Sequence, residues 1–139
     1  MSERNKVSLR IESNSHEQQI VQNVSGEYFQ KGDTVYYRYE EPDQNMGRTN
    51  TTIKIKGNEI RVVRHGDTKS EQSFQLNSLQ PGYYHTATGK MNISNKATEI
   101  NIELNQGYGQ ISWSYELYLD DEHAGDFKIK IYIKEETVS

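Results

Sequence analysis

The chain of 139 residues contains no cysteine. That excludes disulfides, thiolate nucleophiles and cysteine-ligated metals, and it agrees with a reducing compartment. Proline occurs only twice, as Pro42 and Pro81, so few positions interrupt a hydrogen-bonded ladder. Both are expected at strand edges, where a missing N–H is tolerated. Long apolar runs are missing as well, and nothing approaches the ~18 residues that span a bilayer. The opening MSERNKVSLRIES has no apolar secretion core, so a cytoplasmic protein with no membrane partner is expected. A basic balance is lacking: net charge is −4 and the pI about 5.6. Nucleic acid is therefore not an expected partner. The chain holds no G-x-S-x-G, no phosphate loop and no dinucleotide fingerprint, which removes the commonest catalytic and cofactor signatures.

What is present is polar, at mean hydropathy −0.96, a value that raises the question of disorder. Ten tyrosines and a strict period of two answer it. Tyrosine brings a large buriable area with a polar tip. VSLRIE places Val7, Leu9 and Ile11 on one face, and TEINIEL does the same with Ile100, Ile102 and Leu104. QISWSYELYL aligns Ile111, Trp113, Tyr115, Leu117 and Leu119, and FKIKIYI aligns Phe127, Ile129, Ile131 and Ile133. Such alternation predicts antiparallel strands with one buried and one wet face. No useful window has a period of 3.6, so any helix is short.

Turn residues separate the strands. Gly57-Asn58 suits a two-residue hairpin turn between TTIKIK and EIRVVRH. That turn predicts a register with Lys56 opposite Glu59, Ile55 opposite Ile60, Ile53 opposite Val62, and Thr51 opposite Arg64. Thr88-Gly89 predicts a second hairpin, with Tyr84 and Thr86 near Ile93 and Met91. NQGYG (105–109) and DDEHAG (120–125) supply two more reversals. Residues 13–30 fit either two short strands or one strand bent around Gly26. Roughly ten strands follow in meander order over a single domain, residues 1–139, with no linker or internal repeat. So many strands in one small domain must curl, and closure into a barrel removes exposed edges. An all-β antiparallel up-and-down barrel of about 8–10 strands is the fold this pattern predicts.

The order YYRYEE, TTIKIKGN, VVRHG, YYHTATGKM and ISWSYEL resembles the YwiB-like family of small proteins from Gram-positive bacteria, from about Val7 to Ile133. The resemblance rests on order and spacing, since no one motif is specific. It implies a calycin-like barrel, akin in shape to lipocalins and fatty-acid-binding proteins. It implies no activity. Analogy of fold with lipocalins points to a ligand cavity by association alone.

Chemistry is expected first at YYRYEE. Alternation puts Tyr37, Tyr39 and Glu41 on the inward face with Val35, and the hairpin register puts Arg64 and Thr51 on another inward face with Ile60 and Val62. Glu41, Arg64 and Thr51, with Tyr39 or Tyr84 nearby, then form a polar cluster at one barrel mouth. Arg64 could grip a carboxylate or phosphate through parallel hydrogen bonds. The plainer reading is an internal ion pair that closes the barrel end, since buried charges are usually paired. The inward aromatic set Tyr37, Tyr39, Phe74, Tyr84, Trp113 and Tyr115 either lines a wet cavity or fills an ordinary core.

Other groups promise less. Lys54, Lys56 and Arg61, with Arg48 and His65, form an outward basic stripe with no aromatic platform expected on it, so solvated charges are the better reading. DDEH (120–123) with Glu116 and Asp126 invites a metal, but neighbours in a tight turn rarely converge on one ion, and a solvated turn is expected. No metal and no cofactor is expected. The leading function is non-enzymatic binding of a small anionic or amphipathic molecule inside the barrel. The alternatives are a filled barrel acting through its outer surface or as a homodimer, and, third, an enzyme using Glu41 as acid or base.

Overall fold

Each alternating stretch becomes a strand in the computed structural model, which describes residues 4–42 and 44–136. The strands are β1 (Asn5–Ser15), β2 (Gln19–Lys31), β3 (Thr34–Glu40), β4 (Thr49–Lys56) and β5 (Glu59–Gly66). They continue as β6 (Lys69–Phe74), β7 (Leu79–Thr86), β8 (Gly89–Asn105), β9 (Tyr108–Leu119) and β10 (Glu122–Glu135). One 3₁₀ turn, Gln44–Met46, lies between β3 and β4. Every strand pairs antiparallel with the next, and β1 closes on β10 from Val7 opposite Glu135 to Ser15 opposite Phe127. The result is a closed up-and-down barrel of ten strands. Closure leaves no open edge to recruit another chain. Among the described residues no helix is long and apolar enough to cross a membrane.

The β4–β5 register is the one that Gly57-Asn58 predicts, with Thr51 opposite Arg64. Residues 13–30 resolve into the end of β1, a turn at 16–18, and one β2 strand that runs through Gly26. The β7–β8 hairpin departs from expectation. Its turn is Ala87-Thr88, so Tyr84 faces Met91 and not Ile93, and Thr86 faces Gly89 and not Met91. The Thr86 hydroxyl accepts the Thr88 N–H at 3.3 Å. That local bond draws the turn one residue earlier. Pro81 also departs, lying inside β7 opposite Ser94. The β6–β7 pairing has already ended at Glu71 and Tyr83, so Pro81 forfeits no bond on that side. DDEHAG shrinks to a turn at Asp120-Asp121, both with positive φ. A bulge between His123 and Gly125 follows inside β10.

The two ends of the barrel differ. At the end holding the turns 32–33, 57–58 and 106–107, the interior is filled. Tyr28 and Tyr37 stack at 5.5 Å, and the Tyr37 hydroxyl donates to the Gly107 carbonyl at 2.7 Å. Gly107 sits at φ +87 with the Tyr28 ring flat against it, 2.4 Å from where a Cβ would stand. Only glycine meets both demands. Above this plug, Val7, Leu9, Ile60 and Ile111 are wholly buried.

Burial drives the tyrosine hydroxyls of Tyr37, Tyr39 and Tyr115 above the ordinary range. A raised acid pKa means the folded chain keeps protons that the unfolded chain releases. Stability from these groups is therefore complete below about pH 10, the unfolded value, and falls as pH rises past it. Denaturant midpoints should hold level through neutral pH and drop above about pH 10. Tyr37→Phe should make that drop shallower. An equal drop in the variant would remove Tyr37 from the cause.

Candidate functional site

The opposite end keeps a cavity. Alternation along β3 continues one residue beyond the strand: the Glu41 N–H bonds the Thr49 carbonyl at 2.8 Å, and the Glu41 side chain points inward, 3% exposed. Thr51, opposite Tyr39 on β4, donates its hydroxyl to Glu41 Oε2 at 2.5 Å. Arg64, opposite Thr51 on β5, brings Nε to 3.6 Å from the same oxygen. That is an ion pair beyond good hydrogen-bond distance. Arg64 also reaches Ser70 on β6 through Nη1, at 3.4 Å. Its side chain is 19% exposed, so the cation is half-wet where the carboxylate is dry.

Around this pair lies a cavity of about 190 Å³. Tyr39, Glu41 and Arg64 head it, and Phe74, Trp113 and Tyr115 form its aromatic wall. Phe74 meets Trp113 at 5.4 Å and Tyr115 at 4.6 Å, both tilted. Burial is the main reason the Tyr39 and Tyr115 hydroxyls are pushed up, with the Glu41 charge adding to it at Tyr39. Arg64 opposes the shift at both. One guanidinium thus acts on β3 and on β9, across the lumen.

A loop closes part of the mouth. Met46 lines the cavity. Its carbonyl accepts the Thr49 hydroxyl at 2.6 Å and the Thr68 hydroxyl at 3.2 Å. Thr49 Oγ1 in turn accepts the Thr68 N–H at 3.1 Å. Gly47, at φ +63, packs against Asp67, whose carboxylate takes the Arg48 N–H at 3.0 Å. These bonds pin the β3–β4 loop to the β5–β6 turn.

Three buried side-chain atoms among the described residues have no hydrogen-bond partner in the protein: Arg64 Nε, Asn95 Nδ2 and Trp113 Nε1. All three are N–H donors. Arg64 and Trp113 line the cavity, and Asn95 stands behind Gln72, accepting its amide at 3.2 Å.

The structure brings Glu41, Arg64, Thr51 and Tyr39 together, with Trp113 and Tyr115 in the wall. It does not bring Tyr37, which belongs to the filled end, or Tyr84. Tyr84 faces Ser70 across β6–β7, is half-buried, and does not line the cavity. Gln72, Asn95 and Met46 escape the sequence reading. Gln72 was within reach of it, because Ser70, Gln72 and Phe74 alternate on one face. Met46 lies in a loop with no period to follow.

Two features of the outer wall differ from expectation. An aromatic platform does stand on the basic stripe: Lys54 lies 5.9 Å above the Tyr36 ring, and Tyr36 stacks on Phe29 at 4.8 Å. Cross-strand pairing of Tyr36 with Lys54 makes this contact. Arg61 is neutralised by Glu71 at 2.6 Å, which relieves its opposition to Lys54. The second feature is at DDEHAG. The β10 bulge brings the ligand atoms of Glu116, His123 and Asp126 within 4.8 Å of one another. His123 and Asp126 are exposed and already bond each other at 2.7 Å, and Glu116 takes the Tyr118 hydroxyl at 3.1 Å.

A closed antiparallel barrel with a polar head over an interior cavity sets the class: a small β-barrel protein. Residues 6–131 match the family described as a domain of unknown function (DUF1934), and the chain belongs to that family. It is 27% identical over 112 residues to the "Uncharacterized beta-barrel protein YwiB" of Bacillus subtilis (strain 168), covering 81% of this chain and 78% of that protein. The crystal structure of the ywiB protein from Bacillus subtilis superposes with a TM-score of 0.86 at 22% identity, over 96% of this chain and 94% of that one. The shared barrel is the content of that match.

Proposed function

We propose that this is a calycin-like cytoplasmic binding protein that holds a small anionic or amphipathic molecule in the cavity at the Glu41 end. Arg64 is the anchor and Glu41 its orienter. One observation carries the reading: Arg64, the cation at the head of the cavity, stays 19% exposed and approaches the buried Glu41 carboxylate only to 3.6 Å. A guanidinium so placed can offer donors to a ligand carboxylate or phosphate.

A second reading, self-association through the outer wall, draws on Leu76 and Leu79, which are 52% and 51% exposed near the start of β7. Native mass spectrometry separates the two. The binding reading expects a small adduct on the monomer that denaturation strips and Arg64→Gln lacks. A clean dimer mass, with no mass gained from a panel of small anions, would sink it.

A further inference from the structure

We infer that the interior site takes a short aromatic monocarboxylate, one ring bearing one carboxylate, and refuses long acyl chains. This rests on the binding reading above and narrows it by size, charge and shape.

Size comes first. The cavity holds about 190 Å³, and an apolar cavity of about 150 Å³ is known to accommodate benzene. One ring with a small polar group is therefore the scale of the space. Depth is blocked. Ile60 pairs with Phe74 below the cavity, Ile111 lies one inward step below Trp113, and both are wholly buried. Beneath them stands the Tyr28–Tyr37 stack. A long chain has no channel to follow.

Charge comes next. Arg64 is the one cation among the lining residues and Glu41 the one anion. Glu41 is already served by Thr51 at 2.5 Å, and the guanidinium approaches it only to 3.6 Å. Arg64 can thus share its donors with one further negative charge. A dianionic phosphate would set two charges beside Glu41 with a single cation to balance them, in a site where unpaired charge is costly. A carboxylate matches the planar guanidinium edge.

Shape decides the body. Phe74, Trp113 and Tyr115 present rings tilted at 50° and 54° to one another. Such a wall offers edges and faces to a further ring, a preferred aromatic geometry.

Trp113 is the chain's single tryptophan, so its emission reports on the site directly. The full chain is titrated with benzoate, benzyl alcohol, hexadecanoate and inorganic phosphate, and each result is checked by calorimetry. Benzoate should saturate one site and shift the Trp113 emission. Benzyl alcohol, and benzoate with Arg64→Gln, should bind about tenfold or more weakly, as expected for loss of a charge-assisted hydrogen bond. Val62→Phe, which fills the cavity without changing charge, should abolish benzoate binding and serves if Arg64→Gln does not fold. Preference for hexadecanoate or phosphate would overturn the ligand class and leave interior binding standing. Silence toward every anion, with an adduct-free native mass, would overturn both.

Discussion

Replacing Trp113 with alanine should destabilise the barrel by about 3–5 kcal/mol, the usual cost of truncating a buried tryptophan. Trp113 is 2% exposed and packs on Phe74. It also lines the cavity. With about 4 °C lost per kcal/mol in a chain of this size, the melting temperature should fall on the order of 12–20 °C. Against a total stability of about 5–15 kcal/mol, the variant is close to unfolding. Trp113 is part of the cavity wall, so its loss enlarges the cavity by the volume of the ring. On the binding reading proposed above, the Trp113→Ala barrel should accept bulkier ligands than the parent. A melt within a degree or two of the parent would show that the ring is not buried as described.

Arg64→Ala should cost about 2 kcal/mol, less than the ~3–5 typical of breaking a fully buried pair. Two observations set the discount. The guanidinium is 19% exposed and stands 3.6 Å from Glu41, and Glu41 keeps the Thr51 hydroxyl when the cation goes. A double-mutant cycle with Glu41→Gln isolates the pair and should return a coupling of about 1–2 kcal/mol. No change in the melt of Arg64→Ala would mean that the pair contributes nothing to the empty barrel. A loss at the full buried-pair value would mean that Arg64 serves the fold first, which weakens its role as an anchor for ligand.

The inward faces could be read from residue order because a strand's side-chain period is two. A slip of one residue would turn Val7, Leu9 and Ile11, or Ile129, Ile131 and Ile133, outward together, so the pattern allows one register face only. Gly57-Asn58 then set the pairing of Thr51 with Arg64. The same logic failed by two residues at Ala87-Thr88, where a threonine hydroxyl redirected a turn whose strands carry weak apolar alternation. Pro81 was misplaced for a related reason: where the β6–β7 ladder stops cannot be read from β7 alone. The aromatic contact beneath Lys54 is not legible in the alternation of either strand, because it depends on Tyr36 standing opposite Lys54 across β3 and β4.

Whether the inside is hollow or full has a different origin. The residues on the inward faces are similar in kind at both ends, with tyrosines at 37 and 39 on one strand. Tyr37 fills its end because Gly107, from a turn 70 residues away, lets the Tyr28 ring lie close. Tyr39 borders a cavity because the chain after Glu41 leaves the wall, is pinned to the β5–β6 turn, and covers the mouth with Met46. Period and turn chemistry act over a few residues and are written locally. The balance of ring volume against enclosed space exists only once ten strands have closed, and so does the surplus of donors at Arg64, Asn95 and Trp113, which strands β5, β8 and β9 contribute separately.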